Sequence, residues 1–115
     1  MYSLGDSLLV KHTDYSVEEA KKLIAKYPDR IPVIVLNSDK VILKKNKFLF
    51  PELMLWSQVN GVVKKYVHTS SLESIILMSK GNIPSGSQSL RDVYSKLKNQ
   101  NGFLVLEIIK ENTFG

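Results

Sequence analysis

The sequence predicts an α+β fold in which helices pack against a four-stranded mixed sheet, with a further helix preceding the sheet. Three observations predict it. Apolar residues recur at helical spacing in three segments, and four short runs are rich in β-branched or aromatic residues. Their order is helix, strand, strand, helix, strand, helix, strand. The two early strands are close enough for a hairpin, and a right-handed crossover allows the last strand to lie parallel to the first.

The first helix is predicted over residues 15–27. Ser16 is a suitable N-cap, and Glu19, three residues later, completes a capping box. One apolar face follows at helical spacing, formed by Ala20, Leu23, Ile24 and Tyr27. Pro28 ends the helix because proline supplies no backbone donor.

The first two strands are predicted over residues 30–37 and 46–50. The first is an almost continuous apolar run, which is typical of a central strand buried on both faces, and Pro32 is tolerable near its start. The second is short, rich in lysine and ended by Pro51, as an edge strand would be. Residues 40–43 are expected to extend this hairpin.

The second half of the chain contributes a helix over residues 54–67, with an apolar face of Val59, Val62, Val63 and Tyr66. Gly61 inside it costs roughly 1 kcal/mol relative to alanine. The remaining elements are a strand over residues 74–78, a turn over 81–87, a short helix over 90–97 and a last strand over 103–109. This is the β-grasp pattern of ubiquitin-like domains, with an N-terminal helical extension.

The length of 115 residues is enough for one domain. We divide it into an N-terminal helical extension (1–28), a β-grasp core (29–110) and a C-terminal tail (111–115). There is no cysteine, so disulfides and thiolate metal sites are excluded, which suits the cytosol. The sequence contains neither a secretory signal nor an apolar run long enough to span a bilayer. Any membrane association is therefore expected to be peripheral or covalent.

The formal charge of +5 is unevenly distributed, since residues 40–65 hold six lysines and one acid, Glu52. Such a field favours acidic partners, whereas the plainer alternative is a solvated lysine face. The aromatic residues Phe48, Phe50 and Trp56 lie in apolar patterns typical of a core or a groove rather than of base stacking. We therefore do not expect a nucleic-acid partner.

No constellation of residues indicates catalysis. The only histidines, His12 and His68, have no acid pair or helical partner that would form a metal site. The loop over residues 81–87 has the two glycines of a phosphate loop, but Ser87 replaces the lysine and Pro84 removes a backbone donor. We expect neither an enzyme, a cofactor nor a metal.

Several motifs resemble one known family in the same order. Tyr27–Val35 reads Y-P-D-R-I-P-V-I-V, and Lys45–Pro51 reads K-N-K-F-L-F-P. Ile83-Pro84-Ser85 is followed by Val93-Tyr94, then by N-G-F-L and E-N-T-F-G. Over residues 13–115 these are similar to the autophagy ubiquitin-like modifiers, the GABARAP and light-chain family.

The resemblance implies a chemical role for Gly115. An E1-like enzyme would activate its carboxylate as an adenylate and then a thioester, and an E2-like enzyme would transfer it to phosphatidylethanolamine. A glycine suits a narrow catalytic cleft because it has no Cβ. The protein would then be cytoplasmic, and bound to the autophagosomal membrane when lipidated. With Gly115 last in the sequence, no proteolysis is expected before conjugation.

The resemblance also implies a groove for W/F/Y-x-x-L/I/V motifs of receptors and cargo adaptors, which bind by adding a strand beside the edge strand. The first pocket is carried over to Glu19, Leu23, Pro32, Leu49 and Phe103. The second pocket is carried over to Phe48, Met54, Val59 and Val62. Acidic residues flanking the motif would meet Arg30, Lys45 and Lys47. Alternatively the apolar members are simply core, above all Val59 and Val62.

The sequence departs from the family at several positions. The connection between Val35 and Lys45 is shorter than usual and lacks an acidic segment. Gly61 and Tyr66 replace a bulky residue and an arginine. Trp56 and the pair Ser79–Lys80 are also unusual. Most of these changes cluster near the second pocket.

Two other functions stay open. One is the related modifier joined to a protein lysine, which a shortened connection suits, although its usual ending has tryptophan where this chain has Phe114. The other is an unconjugated peptide-binding module, in which Gly115 has no chemical role.

Overall fold

The computed structural model of the chain describes residues 16–36, 42–68 and 74–111. Within these ranges there are three helices and six strands. The helices are α1 (Val17–Lys26), α2 (Trp56–Lys65) and α3 (Leu90–Leu97). The strands are β1 (Arg30–Leu36), β2 (Ile42–Leu43), β3 (Lys47–Pro51), β4 (Val67–His68), β5 (Ser74–Met78) and β6 (Leu104–Glu111).

Four of the strands form the predicted mixed sheet, in the order β3-β1-β6-β5. β1 pairs antiparallel with β3 and parallel with β6, while β5 pairs antiparallel with β6. The parallel pairing of the first and last long strands is the arrangement that the crossover rule allows. An α+β fold with a four-stranded mixed sheet is therefore confirmed.

The sheet has a hydrophobic core on each face because its central strand β1 is buried on both. Val33, Ile34 and Val35 have no exposed surface. Alternate residues point to opposite faces, so Val33 and Val35 join the larger core beneath α2 and α3, whereas Ile34 packs with Ala20 of α1 and Phe103. The near-continuous apolar run of β1 is the sequence signal of this double burial.

The predicted extension of the hairpin over residues 40–43 is wrong for residues 42–43, while residues 40–41 lie outside the described residues. Residues 42–43 pair antiparallel with β4, forming a separate two-stranded sheet, and Lys44 N–H donates to Tyr66 O at 2.8 Å. β1 ends at Leu36, so the segment before Asn46 has no described β1 partner. The backbone groups of residues 42–44 pair instead with residues 66–68, which follow α2. The helix predicted over residues 54–67 ends at Lys65, and Val67 and His68 form β4.

The first turns of α2 and α3 are joined through backbone hydrogen bonds. Trp56 N–H donates to Gln88 O at 2.9 Å, and Leu90 N–H donates to Met54 O at 2.7 Å. Each helix thus satisfies part of its unpaired N-terminal donors with carbonyls from the segment before the other. Trp56, only 2% exposed, is core, as its apolar pattern indicates. None of the helices in the described ranges is long and apolar enough to cross a membrane.

Candidate peptide-binding groove

The edge strand β3 offers a backbone surface for a further strand. Among the described residues, no strand pairs with the side of β3 that faces away from β1. Val35 N–H donates to Asn46 O at 2.8 Å, and hydrogen-bonded and non-hydrogen-bonded pairs alternate along an antiparallel ladder. Leu49, opposite Pro32, therefore belongs to a non-hydrogen-bonded pair, and its N–H and C=O point outward.

The face of β3 toward α1 carries the predicted first pocket. Leu23 and Leu49 are half-buried, and Pro32 lies opposite Leu49 in the ladder. Phe103 has no exposed surface and packs with Ala20 and Ile34. The accessible part of this pocket is therefore aliphatic, and Phe103 can support it only from beneath.

Glu19 and Lys47 form an ion pair that connects α1 to β3. Glu19 Oε2 lies 2.6 Å from Lys47 Nζ, and the side chains are 33% and 35% exposed. Ser16 Oγ accepts from Glu19 N–H at 3.1 Å, so half of the predicted capping box is present. The Glu19 carboxylate, expected to bond back to Ser16, is directed to Lys47 instead, because the ammonium group offers an opposite full charge in addition to the hydrogen bond.

The opposite face of β3 carries the predicted second pocket. Met54 and Val62 are half-buried, whereas Val59 has no exposed surface and Phe48 is 5% exposed. In this conformation Phe48 and Val59 belong to the main core, which is the alternative that the sequence left open for Val59. The surface that a ligand could contact is formed by Met54 and Val62, with the core side chains below.

Tyr66 joins the second pocket, which the sequence did not predict. Its ring meets Phe48 edge-on at a centroid distance of 5.4 Å. Lys45 Nζ lies 5.1 Å from the Phe48 ring centroid and 5.7 Å from that of Tyr66. Ammonium groups at these distances are attracted to the ring faces. Tyr66 lies at helical spacing from Val62 and Val59, and this spacing was the available signal.

Arg30 completes the cationic rim along β3. Its Nη1 lies 3.4 Å from Leu49 O, the carbonyl that points outward from the edge. Cationic side chains thus lie along the length of β3: Arg30, Lys45 and Lys47. Lys47 faces Glu19, and Lys45 faces the aromatic rings, so the three cations have different immediate surroundings.

The two pockets lie on opposite faces of β3. Leu49 shares a face with Pro32, whereas Phe48 shares the other face with Val33. In an extended peptide, side chains three positions apart also point to opposite faces. A strand added along β3 can therefore place the first and fourth residues of an aromatic-x-x-aliphatic motif against the two sides.

The loop over residues 81–87 is a connection, as predicted. Ser79 and Asn82 exchange backbone hydrogen bonds at 2.9 Å, and Lys80 and Gly81 both have positive φ, which is the geometry of a type I′ turn. The Gly86 carbonyl accepts a hydrogen bond from Ser57 N–H at 3.1 Å. The described residues contain no group of metal-binding side chains. His12 and Gly115 lie outside the described residues.

Comparisons with known proteins find relatives that cover most of the chain. Residues 15–115 match the family described as "Autophagy protein Atg8 ubiquitin like". An autophagy-related protein 8-like protein of Dictyostelium discoideum is 34% identical, with 89% of this chain and 90% of that protein covered. Autophagy-related protein 8c of Arabidopsis thaliana is 35% identical, with 84% of each chain covered.

Two solved structures share the fold. The crystal structure of Trypanosoma brucei ATG8 superposes with a TM-score of 0.73 at 31% identity, covering 86% of this chain and 88% of that one. Plasmodium falciparum Atg8, solved in complex with a Plasmodium falciparum Atg3 peptide, superposes with a TM-score of 0.74 at 28% identity. That comparison covers 99% of this chain and 100% of the other.

Proposed function

The chain belongs to the Atg8 family of ubiquitin-like autophagy proteins, and from that membership we propose that it is a modifier conjugated through Gly115 to phosphatidylethanolamine. In this proposal the conjugated protein recruits receptors and cargo adaptors through the groove along β3. Proteins of this family are modifiers rather than enzymes, so the chain supplies a carboxylate and a binding surface.

The conjugation is a transfer of the Gly115 acyl group. The carboxylate attacks the α-phosphate of ATP and releases pyrophosphate, giving an acyl adenylate. A thiol of the E1-like enzyme displaces AMP, and a thiol of the E2-like enzyme then takes the acyl group. The amine of phosphatidylethanolamine attacks this second thioester, forming an amide and releasing the thiol. The conjugation enzymes carry out each step, and the chain needs no cofactor of its own.

The E-N-T-F-G ending and one structural relative support the conjugation partners. The family ending occupies residues 111–115, and its first residue, Glu111, is the last residue of β6. The Plasmodium falciparum relative has been solved with a peptide of Atg3, an E2-like enzyme. We infer that an E2-like enzyme is also a partner here, and that the protein is cytoplasmic until lipidation brings it to the autophagosomal membrane.

The geometry of β3 carries the proposal for receptor binding. Leu49 directs its backbone outward from the edge, and half-buried apolar side chains lie on both faces. Backbone hydrogen bonds along such an edge supply affinity, and the two pockets supply specificity. The cations Arg30 and Lys45 favour motifs with acidic flanks.

Reconstitution tests the conjugation. The protein is incubated with the E1-like and E2-like enzymes, ATP and liposomes containing phosphatidylethanolamine, and the product is analysed by mass spectrometry. We expect the wild type to gain one phosphatidylethanolamine and Gly115→Ala to gain none. The matched control is Gly61→Ala, which alters a glycine on α2 and should be conjugated normally.

The same experiment separates the competing functions. A product linked to a protein lysine would indicate the related modifier that is conjugated to proteins. The shortened connection between Val35 and Lys45 suits that alternative. Equal conjugation of Gly115→Ala and the wild type would exclude Gly115 as the reactive residue. Absence of any conjugate, together with retained motif binding, would favour an unconjugated peptide-binding module.

A further inference from the structure

Four lysines from two distant segments meet where the chain leaves α2. Lys44 N–H donates to Tyr66 O at 2.8 Å, and this bond sets residues 44 and 45 beside the residues at the end of the helix. All four members have exposed side chains, and we call them the lysine cluster: Lys44, Lys45, Lys64 and Lys65. The pairing of β2 with β4 creates it, because the two pairs are almost twenty residues apart in the sequence.

The segment that contributes the lysine cluster carries few acids. Glu52 is the only acid between residues 42 and 68. Its Oε1 lies 3.5 Å from Arg91 Nη1, so it is already engaged with a cation of α3. Lys64 and Lys65 complement the helix dipole because they lie in the last turn of α2. This does not account for Lys44 and Lys45, which follow β2. A concentrated field of this kind attracts an anionic surface.

The lysine cluster lies at the end of the sheet from which the tail emerges. β1 and β6 run in parallel, so Glu111, the last residue of β6, lies beyond the end of β1. β3 starts at this same end, because Lys47 lies opposite Ile34 near the end of β1. Lys44 is three residues before Lys47, so it must also lie at this end.

We propose that the lysine cluster is a binding surface for anionic lipid headgroups, which orients the domain on the membrane after conjugation. This inference rests on the proposed lipidation of Gly115. The four residues from Asn112 to Gly115 can span at most about 14 Å, so the anchored end of the domain stays close to the headgroups. A covalent lipid and a basic surface are the two signals that together give stable attachment. Each lysine at an anionic surface contributes about a fivefold gain in partitioning.

The proposed orientation keeps the groove accessible. β3 runs away from the tail end of the sheet, from Lys47 to Pro51. Leu49 and Arg30 then lie farther from the membrane than the lysine cluster does. The edge of β3 at Leu49 therefore stays accessible while the domain rests on its anionic contacts, and Lys45 is the one residue that the groove and the lysine cluster share.

The test anchors the protein without the conjugation enzymes, so its outcome is separate from that of the reconstitution. The chain has no cysteine, and Gly115→Cys therefore provides one thiol for coupling to maleimide-phosphatidylethanolamine. The coupled protein is placed on phosphatidylcholine vesicles or on mixed phosphatidylcholine–phosphatidylserine vesicles. Brief amine acetylation followed by mass spectrometry then reports the exposure of each lysine.

We expect the lysine cluster to be acetylated about fivefold more slowly on phosphatidylserine-containing vesicles than on phosphatidylcholine. Lys96, in the last turn of α3, and Lys98, directly after the helix, both precede the start of β6 and should be unaffected. In about 1 M salt, where the Debye length is about 3 Å, the difference should disappear. Equal acetylation on both vesicles, or protection of Lys96 and Lys98 instead, would overturn the proposal.

Paired charge reversals provide the second measurement. Lys64→Glu combined with Lys65→Glu should abolish the protection of Lys44 and Lys45, whereas Lys96→Glu with Lys98→Glu carries the same net charge and should preserve it. Circular dichroism checks that both variants are folded. Equal loss in the two variants would indicate an effect of net charge alone and contradict the proposal. Protection by a soluble RNA oligonucleotide, with none from anionic vesicles, would reassign the surface to nucleic acid.

Discussion

The contact between Glu19 and Lys47 couples α1 to the edge strand at the rim of the first pocket. The pair is 2.6 Å apart, but each side chain is about a third exposed. Ion pairs with this exposure contribute up to about 1 kcal/mol. Its greater consequence concerns binding, because the Glu19 carboxylate neutralises a cation that would otherwise meet an acidic motif.

Glu19→Gln should therefore strengthen the binding of a peptide with acidic residues beside its W-x-x-L motif. Releasing Lys47 from the carboxylate should raise the affinity up to about fivefold, the equivalent of about 1 kcal/mol. Isothermal titration calorimetry with matched acidic and neutral peptides measures this effect. The neutral peptide should gain no affinity.

Glu18→Gln is the matched control for this prediction. Glu18 precedes Glu19 on α1 and is exposed. Its substitution by glutamine therefore removes the same charge from the same helix. A similar gain in Glu18→Gln and Glu19→Gln would show that overall charge, and not the contact with Lys47, governs the affinity.

At the scale of single elements, β3 contributes its backbone as well as its side chains. Leu49→Ala should weaken W-x-x-L peptide binding about tenfold, because it removes half-buried apolar surface that lines the first pocket. Its backbone groups stay in place, so the fold should be retained. Calorimetry measures the affinity, and thermal unfolding checks the fold.

Ile83→Ala is a suitable control for Leu49→Ala. Ile83 is 58% exposed in the loop before α3, away from β3, and loses the same number of carbons. Its affinity for the peptide should equal that of the wild type. Unchanged binding by Leu49→Ala would remove the first pocket from the proposed groove.

The helix α2 contains a glycine that packing does not require. A Cβ added at Gly61 would meet nothing within 4 Å. Gly61→Ala should therefore raise the free energy of unfolding by about 0.5–1 kcal/mol, because glycine loses more conformational freedom in a helix. Urea denaturation measures the change.

Gly102→Ala provides the opposite case. Gly102 has φ +94°, and a Cβ there would lie 3.0 Å from Ala20 Cβ in the smaller core. This substitution should destabilise the fold by about 1–3 kcal/mol. A destabilising Gly61→Ala would indicate a local requirement on α2 that its open surroundings do not show.

At the scale of the whole molecule, Tyr94 is a half-buried polar residue that packs against the larger core. Its hydroxyl donates to Gly102 O at 2.7 Å, tying α3 to the turn before β6. Burial raises the pKa of the Tyr94 hydroxyl above its ordinary value of 10.0. The folded state therefore holds this proton more tightly than the unfolded state does.

The sign of this linkage predicts a loss of stability in alkali. Because the folded-state pKa is the higher one, the contribution of Tyr94 is complete below pH 10 and is lost as the pH rises through the folded-state pKa. Tyr94→Phe should cost about 1 kcal/mol at neutral pH through the lost hydrogen bond. Its stability should also fall less steeply than that of the wild type above pH 10.

Urea denaturation of both proteins across the alkaline range tests this prediction. The difference between the two curves isolates Tyr94 from the lysines, which titrate in both proteins. Parallel curves for wild type and Tyr94→Phe would show that another group carries the alkaline dependence.

The order of the elements and the character of most of them follow from the amino-acid sequence alone. The double burial of β1 follows from its continuous apolar run, and the bounds of α3 and β5 agree with their patterns because each is a short periodic segment between turn residues. The motifs from Tyr27–Val35 to E-N-T-F-G identified the family. The use of Gly115 and the full membership of the groove stay predictions.

Which segments come into contact depends on the three-dimensional packing of the elements. The pairing of β2 with β4, the engagement of Glu19 by Lys47, and the packing of Tyr66 against Phe48 each join residues from separate elements. Local propensity and periodicity describe a residue against its sequence neighbours, whereas these contacts depend on how α1 and α2 cross the sheet. For the same reason the sequence showed an excess of lysines, but the fold placed four of them at the end of the sheet where the tail begins.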